Sequence, residues 1–167
     1  AHAGRKASTA RPWEGGQGVS DARGGWTPYG PSPVAFQDTY RQPRAMTIDD
    51  IQRVVEAFRQ AADRARRFGF DVIELHAAHG YLLHEFMSPM ANERTDDYGG
   101  GFENRIRLTL EVTNAIRDVW PDDKPLFVRI SSTDWIPGGW DLDQSVRLAA
   151  ELARRGVDVV DCSSGGV

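Results

Sequence analysis

Apolar positions recur at helical spacing over residues 47–68, where Ile51, Val54, Val55, Phe58, Ala61, Ala62, Ala65 and Phe68 share one stripe. Thr47 stands at the N-cap position with Asp49 and Asp50 after it, while Arg64, Arg66 and Arg67 crowd the last turn and Gly69 ends it. Residues 70–76 then read as a mostly apolar strand, of the kind covered on both faces in a parallel sheet. A second helix is predicted over 102–120, with Ile106, Leu110, Ile116 and Val119 near one face. A strand follows over 125–131 (PLFVRIS), then a helix from Asp141 or Asp143 to Gly156, and a strand over 157–162. This alternation predicts parallel βαβ units with right-handed crossovers. The pattern alone leaves open whether they form an open doubly wound sheet or part of a (β/α)8 barrel. A whole barrel takes about 250 residues, so a chain of 167 would be a segment of one.

Elsewhere the pattern is weak. Residues 1–6 suggest the tail of a strand, and residues 7–45 show no sustained period, with Gly15, Gly16, Gly18, Gly24, Gly25 and Gly30 interspersed with prolines. That run predicts a long loop before the βα units of 46–167, all in one domain. Trp13, Trp26, Tyr29 and Phe36 suggest that the loop is packed. Both ends look abrupt, which suggests an internal piece of a longer protein.

A net charge of −4 supplies no electrostatic reason to expect nucleic acid or an anionic membrane as partner. No stretch approaches the roughly 18 apolar residues of a membrane helix. A single cysteine excludes an internal disulfide and fits a reducing compartment, with cytoplasm the expected location. Cys162 itself is expected to be a core thiol.

Candidate chemistry gathers where the first strand ends. His76 and His79 are followed by Gly80-Tyr81, and carboxyl ends of strands are where α/β folds place their sites. Two imidazole N–H groups can hold a carbonyl or phenolate oxygen and stabilise charge developing on it, and the Tyr81 phenol can deliver a proton. A rival reading is a metal site with His84 or Glu85 as third ligand, although the spacing matches no zinc signature. Asn92, Arg94, Asp96, Tyr98, Glu103, Asn104 and Arg105 read as a structural polar cluster. Arg129, in mid-strand, requires an anionic or carbonyl partner, either Asp161 or Glu74 or a bound anionic cofactor. No GxGxxG turn follows any strand.

The motif HAAHGYLLHEFMSP, followed by NERTDDYGG and ENR, resembles the signature of the old yellow enzyme family, and HAGRKAS and FVRIS fit its thermophilic-like branch. The resemblance implies a (β/α)8 TIM barrel, with this chain running from the end of the third strand through the sixth. It implies FMN, with NADPH or NADH as hydride donor, and reduction of an activated alkene by an enzyme that could be a homo-oligomer. A dienoyl-CoA reductase-like relative and a non-catalytic barrel fragment are the alternatives. By the same resemblance His76 and His79 bind the substrate oxygen, Tyr81 donates the proton and Lys6 lies in the active site. Arg129 lies beside the flavin, with His76 also against the cofactor. Gly101 departs from the family's usual serine.

Overall fold

The computed structural model describes residues 2–167. Its centre is a parallel sheet of three strands, numbered after a two-residue parallel pair, β1 (Tyr29–Gly30) with β2 (Arg44–Ala45). The sheet runs β3 (Ile73–Ala77), β4 (Leu126–Ser131), β5 (Val159–Ser163), in chain order. Four helices accompany it: α1 (Ile48–Arg67), α2 (Leu82–Met87), α3 (Phe102–Arg117) and α4 (Leu142–Ala153).

Pairing places His76, Arg129 and Asp161 in one row, with Ala77, Ile130 and Cys162 in the next. Successive side chains of a strand point to opposite faces. One face therefore carries Leu75, Ala77, Leu126, Val128 and Ile130, which pack with Ala62 of α1, Leu108 and Val112 of α3 and Leu148 and Leu152 of α4 in a single core. The other carries Glu74, His76, Arg129 and Asp161. Strands adjacent in chain order with their helices on one face make a barrel wall, whereas a doubly wound sheet divides its helices between both faces. The chain is thus a (β/α)8 segment. Among the described residues, the helices cover one face of β3. Phe70 and Val72, expected in that strand, precede it and are exposed.

α1 starts at a complete capping box, in which the Thr47 side chain accepts from Asp50 N and the Asp50 carboxylate accepts from Thr47 N. α3 starts at Gly101, which offers no side-chain cap. The buried helix α2 was not visible as a period, because Leu82, Leu83, His84, Glu85, Phe86 and Met87 are buried on every side.

Three expectations are corrected. Residues Gly4–Lys6 form a 3-10 turn and not a strand end. Gly4 has φ 58°, and a Cβ there would stand 2.1 Å from Glu85 Oε1, so the chain must turn away. Trp13 and Trp26 do not pack the loop, being 79% and 58% exposed. Polar contacts pin the loop instead, through the Arg5 guanidinium on the Val34 and Ala35 carbonyls and Arg94 Nη1 on those of Pro31 and Met46. Cys162 is exposed, because β5 is the edge of the sheet and no described element covers it there.

Thr47→Ala removes the cap of α1 and should cost about 1 kcal/mol in urea unfolding, while Gly101→Ser should gain a few tenths of a kcal/mol. At Gly101 a new Cβ would meet nothing closer than Glu103 Oε2 at 3.9 Å.

Candidate active site

β3 ends at Ala77, and the chain reverses through His79 and Gly80, at φ 61° and 67°. A left-handed histidine is uncommon and needs support. Ser131 Oγ, at the end of β4, accepts from His79 N at 2.9 Å, and His84 Nδ1 accepts from Gly80 N at 2.9 Å. Tyr81 then caps α2. The turn brings the His79 ring to 5.0 Å from that of His76 and sets Tyr81 5.5 Å from His76, centroid to centroid. His79 Nε2 meets Ser163 Oγ, at the end of β5, at 2.6 Å.

Lys6 joins this group from near the N-terminus. Its Nζ donates to His79 O at 2.9 Å and to Gly166 O, and lies 4.1 Å from the centre of the Phe36 ring and 5.7 Å from that of Tyr81. Burial lowers its pKa, as does the neighbouring Arg5. His76 is likewise held below its ordinary value by burial and then by the charge of His79. Its ring is therefore neutral near pH 7 and can offer one N–H.

Arg129 stands in the same row as His76. Its guanidinium bonds Asp161 Oδ2 through Nε and Nη2, both at 2.8 Å, and lies 3.9 Å from Glu74. Of the two partners offered by the sequence, Asp161 is the nearer. Arg129 is half-exposed, and its Nη1 has no hydrogen-bond partner among the described residues. The Tyr81 hydroxyl also has none among them.

His84 and Glu85 point away from the histidine pair. His84 is engaged by Gly80 N and by Asp134 at 2.9 Å, and Glu85 Oε1 accepts from Arg5 N at 2.9 Å. Neither is available as a third ligand, and no group of three metal-binding side chains occurs among the described residues. The polar cluster is structural. Asn92 Nδ2 ties the Phe86 and Tyr98 carbonyls, and Arg105 holds those of Met87 and Gly100. Ser131, Ser163 and Asp134 were not anticipated. The two serines close β4 and β5, and that position was the available signal.

The sequence profile of the NADH:flavin oxidoreductase / NADH oxidase family matches residues 1–167. The chain belongs to this family. It is 46% identical to an NADPH dehydrogenase of Bacillus licheniformis, covering 100% of the chain and 44% of that protein. A 2-naphthoyl-CoA reductase superposes with a TM-score of 0.78 at 33% identity, over 84% of this chain and 22% of the other. The old yellow enzyme homologue of Zymomonas mobilis superposes at 0.76 and 29%, over 96% and 45%. The chain spans less than half the length of these proteins. No helix of the described residues is long and apolar enough to cross a membrane.

Beneath the candidate site lies Glu85, whose carboxyl is pushed up to about 8 by burial, against the opposing pull of the Arg5 N–H and the charges of Arg5 and Lys6. Between about pH 4.5 and 8 the folded chain therefore binds more protons than the unfolded one, and stability falls as pH rises. Glu85→Gln should flatten that fall in pH-dependent urea melts. An unchanged slope would show that Glu85 is ionised in the fold.

Proposed function

We propose that the chain is the substrate-holding segment of an FMN-dependent NAD(P)H oxidoreductase that reduces the carbon–carbon double bond of α,β-unsaturated carbonyl compounds. The observation that carries this reading is the gathering of His76, His79 and Tyr81 at the carboxyl end of β3. Membership of a flavin oxidoreductase family supports it.

The residues present fit the flavin. Arg129 offers an unbonded Nη1 on the open face of the sheet, in the row that holds His76. These two side chains would hold FMN, although Asp161 offsets much of the arginine's charge and leaves hydrogen bonding as its main contribution. When bound, FMN carries hydride between the nicotinamide and the alkene. This chain's side chains do the rest. His76 and His79 donate N–H groups to the substrate carbonyl oxygen and draw electron density from the alkene. His79 Nε2 already meets an oxygen in Ser163 Oγ, which a substrate oxygen would replace. The Tyr81 hydroxyl gives its proton to the α-carbon. Lys6 braces the turn through the His79 carbonyl.

A second reading keeps the same cradle and changes the carbonyl. Likeness to a 2-naphthoyl-CoA reductase favours an unsaturated acyl thioester as substrate. Turnover of an enoyl-CoA in preference to an enone would select it.

In the full-length flavoprotein, anaerobic NADPH should bleach the flavin and cyclohexenone should restore its colour. Tyr81→Phe should slow the restoration by about 10²–10⁴-fold, and His79→Ala by about 10²–10³-fold. If no activated alkene restores the colour, the proposal fails.

A further inference from the structure

We propose that Asp134 and His84 are positioning residues, a buried relay that sets the tautomer of His84 and through it the turn presenting His79 to substrate. The inference rests on the carbonyl cradle proposed above and adds two residues that touch neither substrate nor cofactor.

The argument starts from donors that have no choice. A backbone N–H can only donate, so the 2.9 Å contact from Gly80 N requires an unprotonated Nδ1 on His84. In the neutral ring the proton then sits on Nε2, which lies 2.9 Å from Asp134 Oδ1. Both side chains are fully buried. Asp134 Oδ2 in turn accepts from Trp140 N at 2.7 Å and from Ser88 Oγ at 2.6 Å. Burial by itself would raise the Asp134 pKa. The bonds from His84, Ser88 and Trp140 outweigh it, so the carboxylate stays ionised and accepts on both oxygens.

The directions along this chain of bonds are consequently set from its two ends: Gly80 N can only donate to Nδ1, and the ionised carboxylate can only accept from Nε2. Trp140 N and Ser88 Oγ hold the carboxylate in place through its other oxygen. Packing alone has no need of a buried histidine–carboxylate hydrogen bond in this place, since apolar side chains of similar volume are often as stabilising. What the relay adds is direction. It holds Gly80 at φ 67° next to His79 at φ 61°, while Ser131 holds the N–H of His79 and Lys6 its carbonyl.

Asp134→Asn makes the proposal testable. Trp140 N still demands an oxygen, so the new amide nitrogen must face His84 Nε2 and donate to it. The ring proton would then move to Nδ1, where it opposes the N–H of Gly80. His84→Asn keeps an acceptor for Gly80 but loses Asp134, and His84→Phe loses both contacts.

The chain has four histidines, so long-range proton–nitrogen correlation spectra of the ¹⁵N-histidine-labelled chain can read each tautomer directly. The expected result is an Nε2-protonated His84 in the wild type and an Nδ1-protonated ring in D134N. The His79 ring signals should move in D134N and H84F and return to wild-type positions in H84N. In the FMN-loaded full-length protein, the Kd for cyclohexenone, read from flavin absorbance, should rise about tenfold in D134N and H84F and stay within about twofold of wild type in H84N. A wild-type His84 protonated on Nδ1 would overturn the relay without any variant. So would His79 signals unmoved in both D134N and H84F. A wild-type holoenzyme indifferent to cyclohexenone would count against the carbonyl cradle instead, and the tautomer and the His79 signals would still decide the relay.

Discussion

Two backbone N–H groups in succession, those of His79 and Gly80, find side-chain acceptors from two different elements, and the geometry of the site depends on this. Ser131 comes from the end of β4 and His84 from α2. A turn at the end of a strand exposes N–H groups that the sheet no longer satisfies, and leaving one buried without a partner is costly. Satisfying both from fixed scaffolding forces His79 into a left-handed conformation that it would otherwise avoid. That conformation swings its ring back over His76.

The sheet makes the rest of the arrangement unavoidable. With α1, α3 and α4 packed on one face, the alternate residues of every strand must face the other side. Polar side chains occupy that side, which no helix of the described residues covers. In the row His76–Arg129–Asp161 the middle residue is positive and one neighbour negative, so the guanidinium is neutralised along the row, from strand to strand. This pairing limits what Arg129 can do for a bound anion. It acts as an oriented donor more than as a net charge.

Much of the scaffold was legible because its signals are local and periodic. α1 shows its stripe, its capping residues and its terminal glycine in twenty-odd positions, and its observed limits differ from the expected ones by a residue at each end. β4 and β5 were visible as short apolar runs between turns. The barrel wall was not readable from pattern, since the side on which each helix packs is a property of the sheet as a whole. α2 escaped for the opposite reason, as a short helix buried on all sides, its His84 and Glu85 included, shows no apolar stripe to detect. Its His84 and Glu85 looked like possible ligands because sequence proximity to His76 and His79 was mistaken for proximity in space. The reversal through His79 and Gly80, both at positive φ, sends them into the core.

The histidine pair itself was anticipated from residue type and strand-end position, yet its supports were not. Ser131, Ser163 and Asp134 lie about 50 to 85 residues from the turn that they serve, and no spacing rule reaches that far. Lys6 shows the same limit from the other direction. A lone lysine in sequence carries no information about its surroundings, and only the 3-10 turn at Gly4–Lys6 carries its ammonium to the His79 carbonyl. Such long-range contacts form when strands dock in register, so the site is completed by the same event that closes the sheet. A substitution that loosened the β3–β4 pairing would therefore disturb His79 through Ser131 even though it touched no residue of the cradle.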